Sequence, residues 1–295
     1  MATANSLPQK KSAGDPEPGG FIRKLSLELA VGDIRLPSFP DIAVRVQQVL
    51  EDTRAPRTQV AQVIGADAAL AARILRLANS AFFSPATHQI TDLQQALTRL
   101  GNQLVRCTAV SFSLQQMTLG SGAAELRPTL HKLWRQGTLV AAIAYVIARE
   151  TRAAKPDEAL MTGLMHNIGR LYIAVSQTRH SAEGVDTDAW ANMVHEWHPR
   201  IAGAILKHWK FPLPIITAVA HQNNPHGESP RENRLTDVLV SAVALVPCVF
   251  NRDLLEQTVC TVPTFQLLGL DAAGCQRLLA ATADQIKALQ AALTQ

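Results

Sequence analysis

The chain has 295 residues, of which 47% are hydrophobic and 18% charged, and its 28 Lys and Arg against 24 Asp and Glu give a formal net charge of +4. This composition excludes disorder over most of the chain, because a chain stays unfolded when it is poor in apolar residues and rich in net charge. The Lys and Arg residues are scattered, which disfavours a nucleic-acid-binding face, since such a face concentrates basic residues to neutralise many phosphates together. Aromatic residues are only 5% of the chain, and Leu and Ala dominate the apolar content, which favours helix over strand.

The four cysteines are Cys107, Cys248, Cys260 and Cys275, and no two of them form a C-x-x-C pair. The N-terminus also has no charged-then-apolar signal segment, so we expect a cytoplasmic protein. The longest apolar run, Val238 to Phe250, is shorter than the roughly 20 residues that span a bilayer. No membrane contact is therefore expected.

The chain divides into four predicted regions. Residues 1–19 are rich in Gly, Pro and Lys and are expected to form a disordered leader. An N-terminal helical lobe is expected over 20–120 and a second helical lobe over 121–250, because Gly120 to Gly122 interrupts the apolar pattern. Residues 251–295 are expected to form a C-terminal helical extension.

Apolar residues at three- and four-residue spacing predict helices along both lobes. In the first lobe, Thr58 and Asp67 are predicted N-caps, and Gly65 and Gly101 are predicted stops. The helices predicted there are residues 41–51, 58–64, 68–78, 91–100 and 102–117. Those predicted afterwards are 126–150, 157–171, 190–197, one restarted by Pro199, 214–221, 231–250 and 273–293. No segment alternates convincingly at period two, so the predicted fold class is all-α.

Two histidine patterns attract interest as candidate chemistry. His166-Asn167 resembles the His-carboxylate pair of metal-dependent phosphohydrolases, but Asn167 is neutral and cannot offset a divalent cation. The alternative is a polar pair hydrogen-bonded within the core. His195 and His198 form the H-x-x-H spacing, although Pro199 is expected to break the helix there and the sequence has no H-E-x-x-H frame. We therefore expect His195, like His208, to be an exposed or partly buried polar residue.

Other enzyme and DNA-binding patterns are weak. Neither a G-x-S-x-G nor a P-loop pattern occurs, and the isolated glycines 163, 169 and 203 fit close helix packing. Cys248 and Cys275 lie on apolar faces, where thiols are usually inert.

The stretch from Val60 to Leu77 has the form of a helix-turn-helix with Arg73 and Arg76 on its second helix. That helix begins with alanines and a leucine, which favours a structural helix pair.

Four segments together resemble the HDOD domain, a bacterial signalling module related to HD-type phosphohydrolases. They are LPSFPD from Leu36, IGADAALAARILRLANSAFF from Ile64, ITDLQQALTRLG from Ile90 and ALMTGLMHNIGRL from Ala159. The resemblance covers about residues 30–250. It implies a two-lobed, all-helical bundle whose second lobe is HD-domain-like.

The resemblance also implies which ligand positions of an HD domain are retained. The parent pattern has a His in the long helix, a His-Asp pair and a late Asp. In this chain Gln136 stands for the first His, His166-Asn167 for the pair, and Val243 about where the late Asp belongs. Three of the four ligand positions are thus replaced.

Segments containing His198 and His221 resemble histidine segments of the related enzymes and are expected to line the same pocket. The predicted vestigial pocket consists of Gln136, His166, Asn167, His198 and His221. A metal held by the three histidines alone is the alternative, and without carboxylates it would make a poor phosphodiesterase centre.

These observations predict a non-catalytic bacterial signalling regulator that binds partner proteins, with the pocket as a candidate site for a small ligand. No catalytic residue, metal or cofactor is predicted, the partners are expected to be signalling proteins, and nucleic acid is disfavoured. The 45 residues after 250 are too few for a second signalling domain, so we expect a single module acting in trans. The alternatives are a phosphohydrolase with a reduced ligand set and a helix-turn-helix DNA-binding regulator.

Overall fold

The computed structural model describes residues 41–52, 54–80, 83, 89–120, 126–177, 187–223 and 234–294. Every regular element in these residues is a helix, which confirms the all-α class. The predicted leader, residues 1–19, lies outside the described residues. Among the helices that the structure describes, none is both long and apolar enough to cross a membrane.

The helices fall into three groups along the chain. The first lobe contains α1 (Asp41–Glu51), α2 (Arg57–Gly65), α3 (Ala68–Ala78) and α4 (Leu93–Gly120). The second lobe contains α5 (Arg127–Thr151), α6 (Pro156–Met165), α7 (Ile168–Gln177), α8 (Thr187–His208), α9 (Leu213–Ala220) and α10 (Leu235–Phe250). A 3₁₀ turn (Arg252–Leu254) then leads to α11 (Leu255–Thr261), α12 (Thr264–Leu267), α13 (Ala272–Ala281) and α14 (Ala283–Thr294).

Of the four helix-end signals predicted in the first lobe, three are correct: α2 ends at Gly65, and Asp67 and Gly101 also mark helix boundaries. The Asp67 carboxylate accepts hydrogen bonds from the backbone N–H groups of Ala69 and Leu70, both at 3.0 Å, and so caps α3 as predicted. The Thr58 cap is wrong, because α2 already begins at Arg57 and is preceded by Pro56, which makes no side-chain cap.

The predicted stop at Gly101 is a break inside α4, where φ is 73° and ψ is 164°. A positive φ is accessible to glycine at little steric cost, whereas a side chain would be strained there. The two helical segments predicted on either side of Gly101 therefore meet at this kink, within the range Leu93–Gly120.

The helix pair α2–α3 does not present the basic surface that a DNA-reading helix needs. Arg73 is only 2% exposed, and its guanidinium lies 5.5 Å from the centre of the Phe112 ring on α4. Its Nη2 donates to Gln115 Oε1 at 2.5 Å. Of the two arginines considered, Arg76 alone is exposed. The structure therefore favours the structural helix pair.

The long helix α5 is the centre of the second lobe and is buried along most of its length, as predicted. It packs against α6, α10 and α14. Ile143 and Ile147 are fully buried on it and belong to a continuous core that also includes Leu70 and Leu104 of the first lobe. The two lobes are therefore joined through one hydrophobic core.

Helix α8 runs unbroken through Pro199, so the predicted break is wrong. Proline has no N–H to donate to the carbonyl four residues earlier, which belongs to His195. The side-chain amide of Asn223, beyond the end of α9, donates to that carbonyl instead. A long-range hydrogen bond thus replaces the missing helical one.

The single C-terminal helix predicted over 273–293 is two helices, α13 and α14, which meet at Thr282. The Thr282 hydroxyl donates to the carbonyl of Leu278 at 2.6 Å at this junction. After the turn, α14 packs along α5 and also contacts α3 and α4. The end of the described chain therefore bridges both lobes.

Two polar contacts fix α14 against α5. Arg149 Nη2 donates to Gln285 Oε1 at 3.1 Å, and Gln290 Nε2 donates to the backbone carbonyl of Arg135 at 3.2 Å. The apolar side of α14 is buried through Ile286 and Leu289. This segment is part of the folded core.

Replacing the fully buried Leu289 with alanine should destabilise the whole protein, because the lost contacts belong to the common core. We expect a loss of about 2–5 kcal/mol in the free energy of unfolding, in one transition that both lobes share. Urea unfolding followed by circular dichroism measures it. The exposed Lys287→Ala on the same helix is the control and should change little; equal, small effects of both variants would contradict this role of α14.

Candidate functional site at the junction of α6, α7 and α8

His166 and Asn167 lie between α6 and α7, and not inside one continuous helix as predicted. Both are buried, with 2% and 3% of their surface exposed. The backbone carbonyl of His166 accepts a hydrogen bond from Gln222 Nε2 at 3.0 Å, whereas α7 begins with the bond from Leu171 N–H to the Asn167 carbonyl. The break therefore holds the pair at the end of one helix and the start of the next.

The His166 ring is neutral and has one defined tautomer. Its Nδ1 lies 2.6 Å from the Gly163 carbonyl, which can only accept, so Nδ1 carries the proton and Nε2 keeps its lone pair. Burial, with a smaller effect of the nearby Arg170 charge, lowers the pKa of His166 to about 4 against the opposing effect of this hydrogen bond.

A close contact between α7 and α8 brings His198 to the same place. A Cβ built on Gly169 would lie 2.0 Å from the His198 carbonyl oxygen, so only glycine allows this approach. Close packing was predicted for three glycines and is confirmed: a Cβ would lie 2.4 Å from Ala141 at Gly163 and 2.9 Å from Ala220 at Gly203.

Arg170 connects the two histidines of the H-x-x-H spacing. Its Nη2 lies 3.1 Å from Nε2 of His198 and 3.4 Å from Nδ1 of His195. Because a guanidinium can only donate, the His198 Nε2 accepts and the ring proton is on Nδ1. His198 is 1% exposed, and its Nδ1 has no hydrogen-bond partner. Burial, followed by the Arg170 charge, lowers the pKa of His198 to about 2.

The two remaining predicted pocket positions on the α5 side carry amides. The side chain of Asn167 donates from Nδ2 to the Leu133 carbonyl at 3.5 Å, at the long limit of a hydrogen bond. Gln136, one turn further along α5, is half-buried. Neither side chain supplies the negative charge that hard divalent cations require.

His221, the fifth predicted pocket residue, has an exposed ring. Its Nδ1 lies 2.8 Å from the Thr217 carbonyl and so donates back to the last turn of α9. The next residue, Gln222, is the one that reaches inward, with Nε2 donating to the carbonyls of His166 and Val219 at 3.0 and 2.9 Å. The sequence resemblance thus pointed one residue away from the buried side chain.

Arg170 is a residue of the site that no sequence pattern indicated. Arg170 was overlooked because no metal-ligand pattern contains arginine, although its spacing of four from His166 was a usable signal.

Asp237 is 3% exposed in the first turn of α10, whereas the predicted late position, Val243, is half-buried. His195 and His208 are exposed, as predicted. Among the residues described, no three His, Cys, Asp or Glu side chains form a group that could hold a metal ion.

The residues present do not fit a divalent metal centre of the HD type. The lone pair of His198 Nε2, which a metal would need, accepts a hydrogen bond from Arg170. The guanidinium also places a positive charge beside the two buried rings, which disfavours a second cation. Asn167 adds no compensating charge.

The two buried histidines make stability depend on pH. In the folded chain their pKa values fall from 6.5 to about 4 for His166 and about 2 for His198, so the unfolded chain binds more protons below pH 6.5. We expect full stability above pH 6.5, and a loss of about 1.4 kcal/mol per pH unit for each histidine as the pH falls toward 4. Urea unfolding at a series of pH values measures this slope.

His198→Gln should reduce that slope by about 1.4 kcal/mol per pH unit, because one of the two neutral rings is removed. The slopes are compared, and not the free energies of unfolding themselves, because His198→Gln also loses packing contacts. His208→Gln replaces an exposed histidine of the same helix and should keep the wild-type slope. Equal slopes for all three proteins would contradict the assignment of His198 as a buried neutral ring.

Several solved structures share this fold. A candidate metal-dependent phosphohydrolase from Shewanella amazonensis SB2B has a TM-score of 0.77 at 24% identity, over 94% of this chain and 99% of that one. An HDOD domain protein of unknown function from Geobacter sulfurreducens has a TM-score of 0.64 at 22% identity, over 92% and 97%. A candidate signal transduction protein from Marinobacter aquaeolei VT8 has 0.62 at 20% identity, over 96% and 68%. The chain thus shares its all-helical fold with these proteins.

At the level of sequence, an uncharacterized protein of Treponema pallidum (strain Nichols) is 25% identical over an alignment of 240 residues; the match covers 75% of this chain and 43% of the relative. The chain therefore spans less than half the length of this curated relative. The model of the HDOD domain family matches residues 36–225, well over half of the chain. The chain belongs to the HDOD domain family.

Proposed function

We propose that this protein is a non-catalytic signalling regulator that acts by binding partner proteins, and that its pocket around His166 and His198 takes a small ligand. The observation that carries the proposal is the hydrogen bond from Arg170 Nη2 to His198 Nε2 at 3.1 Å. A guanidinium engages the nitrogen that a catalytic metal would have to bind.

The chemistry of the pocket supports the absence of metal-assisted hydrolysis. Such hydrolysis needs a metal that lowers the pKa of a bound water and polarises the phosphoryl group. Asn167 replaces the carboxylate that would help to hold that metal, and His166 and His198 are buried neutral rings beside a permanent positive charge. The description of one Shewanella relative as a candidate metal-dependent phosphohydrolase is therefore not extended to this chain.

The signalling role is supported by family membership and by the fold shared with a candidate signal transduction protein. The HDOD resemblance implies partners such as histidine kinases, response regulators and cyclic-dinucleotide enzymes. In this proposal the folded module offers its surface to such a partner, and the state of the pocket alters that surface.

The non-catalytic part is tested by elemental analysis of purified, untagged protein loaded with manganese, iron or zinc. We expect far less than one metal ion per chain and no turnover of phosphodiester substrates, because Arg170 and the missing carboxylates disfavour a cation. Near-stoichiometric metal that is lost in His166→Ala, together with turnover lost in the same variant, would overturn the proposal. His208→Ala, at an exposed position, controls for weak surface binding of metals.

The partner-binding part is tested by crosslinking in the native cells, followed by mass spectrometry. We expect a signalling protein to be crosslinked reproducibly. The yield of this crosslink should fall when excess competing chain is present before the crosslinker is added. The same partner should then bind the purified chain at a defined stoichiometry. Failure of every crosslinked signalling protein to bind the purified chain would contradict this part.

A further inference from the structure

The pocket contains buried hydrogen-bond donors that the protein does not satisfy. Arg170 Nε and His198 Nδ1 are both buried N–H groups without a hydrogen-bond partner. His198 is 1% exposed. Its Nδ1 carries the ring proton, because Nε2 accepts a hydrogen bond from Arg170. Unpaired buried donors are costly in a folded protein, and they mark places where an acceptor is missing.

Arg170 also lacks a negatively charged partner among the side chains that the structure describes. The ion pairs found there join Arg149 to Glu150 and Lys155 to Glu158, both away from the pocket. The contacts of the Arg170 Nη2 group are to two imidazole nitrogens, on His195 and His198. The guanidinium therefore keeps its full positive charge in a partly buried position without a carboxylate to balance it.

The geometry of the guanidinium defines what would satisfy it. Nε and Nη2 lie on the same edge of the planar group, and this edge binds two oxygens of one oxyanion side by side. Here Nη2 lies 3.1 Å from a ring nitrogen of His198 and 3.4 Å from one of His195, and Nε has no hydrogen-bond partner. A single imidazole nitrogen cannot accept from both atoms, whereas a phosphate group can.

We infer that the cluster around Arg170 binds the phosphate group of a small molecule, with one phosphate oxygen accepting from Arg170 Nε and a second replacing the His195 ring, 3.4 Å away, at Arg170 Nη2. This inference rests on the proposed function and names the ligand class of the same pocket. The cluster of Arg170, His166 and His198 contains unpaired donors and two neutral rings, with no carboxylate among its members to repel the anion.

The residues of this cluster differ in exposure. Arg170 is only partly buried, and the His195 ring beside it is exposed. His198 lies below them at 1% exposure. In this proposal the phosphate approaches from the side of His195 and meets Arg170 before the buried His198 ring.

Isothermal titration of the wild-type chain with inorganic phosphate and with adenosine monophosphate tests the inference, in buffers whose ionic strength is matched with chloride. We expect saturable 1:1 binding of at least one of these. Tighter binding of inorganic phosphate identifies the free anion as the ligand, and tighter binding of the nucleotide identifies a phosphate carried on a larger molecule. Both results support the site, and no saturable binding of either at millimolar concentration overturns it.

Arg170→Gln should weaken the binding about 10- to 100-fold, because it removes a charge-assisted pair of hydrogen bonds. Arg170→Lys keeps the positive charge but loses the planar guanidinium with its two adjacent donors. Its affinity for the phosphate should therefore lie between those of Arg170→Gln and the wild type. Arg200→Gln is the matched control, since Arg200 is exposed on α8 and stacks over Trp197 at 5.5 Å. It should change the affinity less than about twofold, in line with a screened surface charge.

Circular dichroism spectra of all variants check that they are folded. If Arg170→Gln is unfolded, Arg170→Lys takes its place. Unchanged affinity in a folded Arg170 variant, or an equal loss in Arg200→Gln, would overturn the site. These results leave the metal and partner experiments untouched, whereas metal uptake with turnover would overturn the proposed function itself.

Discussion

The pocket depends on the close approach of α7 and α8 at Gly169. No side chain fits between this position and the His198 carbonyl, where a Cβ would lie at 2.0 Å. The contact places the buried His198 ring within 3.1 Å of Arg170, one residue after the glycine. Because the backbone of α8 is fixed at this point, the tautomer of His198, the orientation of Arg170 and the unpaired donors all follow from one packing constraint.

The same constraint determines the charge of the site. An HD-type centre balances metal cations with carboxylates and imidazoles, whereas here an arginine of the chain itself supplies the positive charge. Burial keeps the rings of His166 and His198 neutral, as their lowered pKa values require. The site therefore contains one fixed positive charge, on Arg170, and two unpaired N–H donors, Arg170 Nε and His198 Nδ1. In the proposal these groups favour an anion as the ligand in place of a metal ion.

The sequence predicted those features that depend on neighbouring residues. The Asp67 cap and the Gly101 break follow from local backbone chemistry and were found where expected. The continuous helix through Pro199 was not predictable, because the compensating amide of Asn223 comes from beyond the next helix. The break at His166 likewise depends on Gln222, 56 residues away in the chain.

For the candidate site, the resemblance to the HDOD domain directed attention to His166, Asn167 and His198, which the structure places in one buried region. It could not distinguish His221 from Gln222, because the choice between adjacent residues depends on how α9 ends. Arg170 escaped a search for metal ligands, since its role follows from its distance to His198, which only the folded chain defines.

The most direct test of this account is the tautomeric state of His198, measured from the ¹⁵N chemical shifts of its imidazole ring at neutral pH. The account predicts a neutral ring with the proton on Nδ1 and with Nε2 accepting from Arg170, and a change of the Nε2 shift in Arg170→Gln. A charged ring, a proton on Nε2, or a metal-bound Nε2 would contradict it.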